Sequence, residues 1–256
     1  MRAIRLAVHF AHRDFRNRYM GSFSGSVWAL LQPMLQLGIY AFVFAYVFKQ
    51  RAPGSSELGY VPYLFVAMWP WLAFAESLQR CTLSLQENAG LLTKVPIPRI
   101  SLVVAPMLAT FAVNAIGYFA ILVVFCITSP GMHASGIPLA LLGQFALVFF
   151  ALGFALLLAP LQVFVRDIAP ALPQLTQLWM FLSPVFYNRS DLPEAYRGWL
   201  DFNPYTAFAE FFRWAMLDMP APTPRAIVVA LATSALLLVS GYSVFKRLQS
   251  HVEDFL

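Results

Sequence analysis

The chain has 256 residues, 60% of them hydrophobic and only 11% charged, less than half the roughly 25% charge of a soluble domain. That balance excludes a soluble globular protein, and it turns the net charge of +5 into a question of where positive residues flank membrane segments, with no nucleic acid implied. Cys81 and Cys126 fall at opposite ends of the membrane in the topology below, which excludes a disulfide between them.

Residues 2–20, within an interface segment 1–24, predict a helix lying on the cytoplasmic membrane surface. Ile4, Val8, Ala11, Phe15 and Tyr19 form an apolar stripe, and Arg5, His9, His12 and Arg16 a basic one beside it. A solvated, positive-inside flank is the alternative. The first span is Val27–Phe48, longer than a signal-peptide core and followed by no small-residue cleavage site. Gln32, Pro33 and Gln36 place polar groups in its inner half, facing protein rather than lipid. After an external loop, Lys49–Gly59, the second span runs from Tyr60 to about Leu78 with Pro70 as a kink point. The cytoplasmic region 81–99 predicts a short helix stopped by the Val-Pro-Ile-Pro sequence 95–98, with leucines 83, 85, 91 and 92 in need of an interface. Ile100–Ile127 and Pro138–Val165 are the third and fourth spans.

Arg166–Tyr187 differs from them. It opens on a charge pair, carries Pro170 and Pro173, and leaves 14 residues before the polar sequence 188–191. Those residues reach about 21 Å as helix, short of the ~30 Å hydrocarbon core. The segment 188–224 predicts two short external helices. One is capped by Ser190 or Asp191 and starts near Pro193; the other runs from Asn203-Pro204 to about Met216, with Tyr205, Phe208, Ala209 and Phe212 on one face. Ala226–Phe245 is the last span. The expected fold is a single all-α integral membrane domain, 1–256, of six transmembrane helices, with an N-terminal amphipathic interface helix and two short external re-entrant helices between spans five and six. Eleven Lys and Arg fall on the N-terminal side of this arrangement against six on the other, which places both termini in the cytoplasm.

No Gly-x-x-x-x-Gly-Lys-Ser/Thr sequence, no Cys/His cluster at metal-ligand spacing and no Gly-x-Ser-x-Gly elbow occurs, so neither a metal nor a catalytic residue is expected. Glu76, Arg80, Arg166 and Asp167 fall near the cytoplasmic ends, which argues against ion-coupled transport. The spans do offer aromatic and amide side chains, including Tyr40, Phe44, Trp69, Gln177, Trp179 and Tyr187. Aromatic faces stack on sugar rings, and amides hydrogen-bond hydroxyls without the desolvation cost of a charge. An interfacial aromatic belt with helix packing is the alternative for each.

Several stretches resemble one family in order. Arg13–Tyr19 (Arg-Asp-Phe-Arg-Asn-Arg-Tyr) followed by Gly25–Pro33, the coupling-like Asn88–Arg99, Arg166-Asp167 with Gln177–Tyr187, then Asn203-Pro204 and Glu210–Trp214 are similar to the membrane subunit of ABC-type polysaccharide exporters, which move lipid-linked O-antigen, capsule or teichoic-acid chains. The resemblance implies a homodimer of permeases in the cytoplasmic membrane, a sugar channel between the two copies, and two copies of a separate ATPase that binds Mg-ATP. It implies a coupling helix carrying Leu85, Glu87, Asn88, Leu91 and Lys94, and arginines 5, 13, 16 and 18 facing the phosphates of a lipid-linked substrate. It also implies an external gate with Trp199, Tyr205, Phe208 and Phe212. Export of a small hydrophobic compound is an alternative, and a membrane-embedded glycosyl- or acyltransferase a more distant one.

Overall fold

The computed structural model describes residues 6, 9–13, 25–50, 52, 59–92 and 97–255. Among them every regular element is helical. In chain order these are α1 (Gly25–Ala41), which continues as a π-helix over Phe42–Val47, α2 (Tyr60–Glu87), α3 (Ala89–Leu92), α4 (Arg99–Thr128), α5 (Ile137–Phe164), α6 (Ile168–Leu182), α7 (Glu194–Leu200), α8 (Pro204–Leu217) and α9 (Pro224–Leu248). Five described helical stretches are long and apolar enough to cross a bilayer: Leu30–Val47, α2, α4, the stretch Ala134–Phe164 that ends in α5, and α9. The protein is therefore a multi-pass membrane protein. At 15 residues, α6 reaches about 22 Å and is not one of the five.

The bundle is built around α2. Residues 63–68 are six consecutive side chains without solvent exposure, so this turn and a half is enclosed on every side. It packs against α1, α4, α5, α6 and α8. Around it, α5 and α9 pair by close backbone approach. A Cβ on Gly153 would meet Leu237 Cβ at 2.7 Å, and one on Gly241 would meet the Gly153 carbonyl. Small residues let helices approach where lipid supplies no hydrophobic drive. Hydroxyls in the spans return to their own helices, as with Thr82 to the Leu78 carbonyl (2.7 Å) and Ser234 to the Ala230 carbonyl (2.6 Å), which satisfies them without water.

The boundaries of α4, α5 and α9 fall within three residues of the expected spans. Two expectations need correction. The second helix does not stop near Leu78 but runs to Glu87, so the expected coupling region begins as its continuation, and only α3 follows the break at Asn88. Gln86 makes this possible by donating to the Gln162 carbonyl at 3.2 Å, which anchors the polar last turns on α5. The first outer helix is not capped by Ser190 or Asp191. Asn188 and Asp191 instead form a reciprocal capping box around the 3-10 turn Arg189–Asp191, and α7 starts after Pro193 without a side-chain cap. α8 has the expected Asn203 cap on the Tyr205 N–H, and its aromatic face is packed into the bundle.

Gly241→Val should push α9 off α5 and destabilise the protein by about 1–3 kcal/mol or more. The matched control is Gly38→Val, where an added Cβ meets nothing within 4 Å. Thermal unfolding of the two variants in detergent checks this, with the expectation that only Gly241→Val melts lower.

Candidate functional site

Midway along the bundle lies a cavity of about 290 Å³ bounded by α1, α2, α4 and α6. Its polar lining is mostly amide: Gln32 and Gln36 of α1, Gln79 of α2, Asn114 of α4 and Gln177 of α6, beside Trp71 and Glu76 of α2. Asn114 donates to the Glu76 carboxylate at 3.0 Å, and one turn away Arg80 donates to the Thr110 hydroxyl at 2.9 Å. These polar rungs between α2 and α4 lie well inside the bundle, since Asn114 is the sixteenth of 30 residues in α4. Glu76 is therefore deeper than its expected place near a helix end, because α2 extends nine residues beyond Leu78.

Where α6 stops, the chain turns inside the protein. The turn exposes carbonyl groups away from water, and side chains from other elements take them. Asn203 Nδ2 donates to Leu182 O at 3.2 Å, Arg213 Nη1 to Pro184 O at 2.6 Å and Tyr187 O at 3.3 Å, Arg213 Nη2 to Val185 O at 2.6 Å, and the Tyr60 hydroxyl to Phe186 O at 2.7 Å. The Arg213 guanidinium also lies 3.9 Å from the centre of the Tyr63 ring. Asn203 does a second job, since its Oδ1 accepts from Trp179 Nε1 at 2.9 Å and from the Tyr205 N–H at 3.1 Å. Phe186, carried by the turn, packs on Tyr40, Phe44 and Phe181 with ring centres 4.8–5.0 Å away.

Arg189 ties the outer segment to α8. It contacts Asp201 at 2.7 Å and Glu210 at 3.1 Å, and Thr223 adds a 2.8 Å hydrogen bond to Asp201. Burial pushes the Glu210 carboxyl above the usual carboxylate range despite Arg189. Burial also acts on Asp201, but there the hydrogen bonds from Arg189 and Thr223, with the Arg189 charge, prevail and hold it below that range.

The expected path residues separate into groups. Gln177 is exposed to the cavity, Tyr40 and Phe44 are half-buried beside Phe186, Trp179 packs edge-on to Trp71 at 5.3 Å, and Tyr187 is half-buried in the turn. Trp69 is corrected: it is 1% exposed and donates to the Asn114 carbonyl at 3.1 Å, so it is packing inside the protomer. Of the gate residues, Tyr205, Phe208 and Phe212 are buried against the spans, with Tyr205 4.5 Å from Trp71 and Phe208 5.4 Å from Phe150. Only Trp199, 77% exposed, stands free of the core. At the other end, Leu85 is also corrected, because it is fully buried and cannot seat in a partner's groove. Glu87 is exposed, with Asn88 and Leu91 half-buried. Arg13 donates to the Asn88 side chain at 3.0 Å, a link between the N-terminal segment and the turn after α2 that sequence spacing does not reveal. Arg5, Arg16, Arg18 and Lys94 lie outside the described residues.

No group of three or more metal-capable side chains gathers among the described residues. Residues 6–217 match the family described as "ABC-2 type transporter". The chain is 27% identical to the O-antigen export system permease protein RfbA of Myxococcus xanthus, over 98% of this chain and 94% of that protein. It is 26% identical to the protein of the same name from Klebsiella pneumoniae, over 98% and 95%. Similarity at 20% identity extends to the polysialic acid transport protein KpsM of Escherichia coli, over 80% of this chain and 78% of that one.

Two outcomes follow from the turn and its surroundings. Arg213→Lys should cost about 2–4 kcal/mol, because one ammonium cannot reproduce a planar fork on three carbonyls, and Arg213→Met should cost more. Arg189→Met should cost about 3–5 kcal/mol by leaving Asp201 and Glu210 without their cation, whereas Glu210→Gln should cost less, since burial already favours the neutral form there. Equilibrium unfolding in mixed micelles, with proteolysis at 183–192 as the local probe, checks both rankings.

Proposed function

The chain belongs to the ABC-2 type transporter family, and on that premise we infer that it is the permease of an ATP-driven polysaccharide exporter. Its activity is transport, and the transporter includes a separate ATPase subunit. Mg-ATP would bind there. The supporting similarity to O-antigen export permeases runs over 98% of the chain. The structural observation that carries the reading is the amide-rich cavity between α1, α2, α4 and α6. Amides pair with sugar hydroxyls on either donor or acceptor side, and Trp71 offers an aromatic surface, so a hydroxylated chain finds mostly uncharged partners, with the one lining carboxylate, Glu76, held by Asn114.

In this reading two permeases form a homodimer with the channel between them, in the cytoplasmic membrane with both termini inside. α6 counts as a sixth, shortened membrane helix, and α7 and α8 lie on the external side. Gln177, Trp179, Tyr40, Phe44 and Tyr187 border the path. α8 is a fixed wall, and α7 with Trp199 is the part free to serve as a gate. At the cytoplasmic end Glu87, Asn88, Leu91 and Lys94 seat in the ATPase, with Arg13 bracing Asn88. The phosphates of a lipid-linked substrate then fall to Arg5, Arg16 and Arg18.

Deleting the gene should leave completed glycan stranded on the cytoplasmic side. An Ala75→Trp replacement, which fills the cavity, should lower surface glycan at least about tenfold while the permease still copurifies with its ATPase. Normal surface glycan in the deletion strain would overturn the function, and normal export by Ala75→Trp would remove the cavity from the path.

A further inference from the structure

A second concavity shares no lining residue with the first. It is an apolar groove of about 500 Å³ between α4 and α5, formed by Phe111 and Ala115 on one side and Leu141, Phe145 and Val148 on the other. Leu141 and Phe145 are 57% and 60% exposed, so the groove faces the surrounding bilayer. One polar residue lines it, Gln144, which is only 6% exposed and whose Nε2 has no hydrogen-bond partner. A buried amide donor left unpaired in an apolar setting costs about 1–3 kcal/mol, and no charged side chain borders the groove.

We propose that this groove binds an acyl chain of a membrane phospholipid, and that the ester carbonyl of that chain accepts the hydrogen bond from Gln144. Depth supports the match. Gln144 lies seven residues, or about 10 Å, along α5 from Ile137. α5 has 28 residues, about 42 Å of helix against a hydrocarbon core of about 30 Å, so about 6 Å projects at each end. The amide therefore sits about 4 Å below the hydrocarbon edge, within side-chain reach of the layer where ester carbonyls lie. The leaflet is the one at the end of α5 that meets the last turn of α8, where His133 N–H donates to the Met216 carbonyl. A second copy of the chain fits less well, because the backbone carbonyls of a transmembrane helix are already spent on that helix. With no charge at the groove, recognition is of the ester and the chain, and the headgroup is not selected. This assignment rests only on the protein being a membrane protein and is independent of the export reading.

The test uses the full-length chain with its ATPase, reconstituted in nanodiscs of phosphatidylethanolamine and phosphatidylglycerol, either diester or the diether analogues that lack the carbonyls. Lipids retained on release are counted by native mass spectrometry. Wild type should keep one diester lipid per permease, about three- to tenfold more often than the diether, the range of one neutral hydrogen bond. Gln144→Leu should abolish that preference while leaving the folded complex intact. Leu141→Trp, which fills the groove but keeps the amide, should lose both lipids. Equal retention of ester and ether by wild type, an ester preference that survives Gln144→Leu, or no retained lipid at all overturns the proposal. So does a Leu141→Trp variant that changes the number of permeases per complex with lipid unaltered, which would make this face a subunit contact.

Discussion

The constraint on which the half of this protein around α6, α7 and α8 depends is the turn that follows α6. A chain that reverses inside a membrane protein must find donors for its carbonyls, because neither water nor lipid supplies them. Here Leu182, Pro184, Val185, Phe186 and Tyr187 each have their oxygen taken by a side chain of Asn203, Arg213 or Tyr60, and the Ser183 carbonyl accepts from the Val185 N–H at 2.7 Å. The donors come from α2, from α8 and from the cap of α8, so the turn forms only when those elements are already in contact. A buried arginine is expensive in isolation. At Arg213 its cost is offset by three carbonyls and a ring face, and in return α6 can end well short of a full span.

The same accounting explains why α8 is a wall. Its aromatic face would suit a helix resting in the lipid headgroups, yet Arg213 binds it to the turn, Glu210 binds it to Arg189, and the Tyr205 hydroxyl donates to the Ala67 carbonyl at 2.9 Å in the first third of α2. Movement of α8 would break all three at once. α7 carries no such ties from its aromatic side, since Trp199 and Tyr196 are both largely exposed. The polar connections of the outer segment thus divide it into a fixed helix and a more loosely held one.

Much of this architecture was legible in the sequence because it is written in uncharged length. The stretch 100–165 has no charged residue, and α4 and α5 fill it. The two prolines and the polar sequence after Tyr187 announced the short α6, and Asn203-Pro204 announced the start of α8. What failed was sidedness within a helix. Hydropathy ended the second span near Leu78 and set Gln86 and Glu87 apart in a separate short helix, although partners of Arg80 on α4 and of Gln86 on α5 carry α2 through them. Trp69 and Leu85 have the right residue type for a path and a docking surface, but only their neighbours reveal that both point inward. Arg213 was counted for topology as one more external positive charge. Its spacing from Glu210 and Thr206 on a helix otherwise rich in aromatics was the available signal of a buried polar face.

The turn, the cavity and the Asn88 contact all meet on α2. Near its start Tyr60 and Tyr63 support the outer turn, its middle supplies Trp71 and Glu76 to the cavity, and its last turn leads to Asn88, which Arg13 holds. A helix of 28 residues, continuous through Pro70, spans about 42 Å, so the three sites share one element. Had the helix ended near Leu78, a flexible connection would have separated the coupling turn from the cavity. Because it continues, the turn at Asn88, Glu76 beside Asn114 and Tyr60 beside Phe186 all belong to one helix and its end. The contacts at the two ends of the bundle are therefore joined covalently through the helix whose residues line its centre.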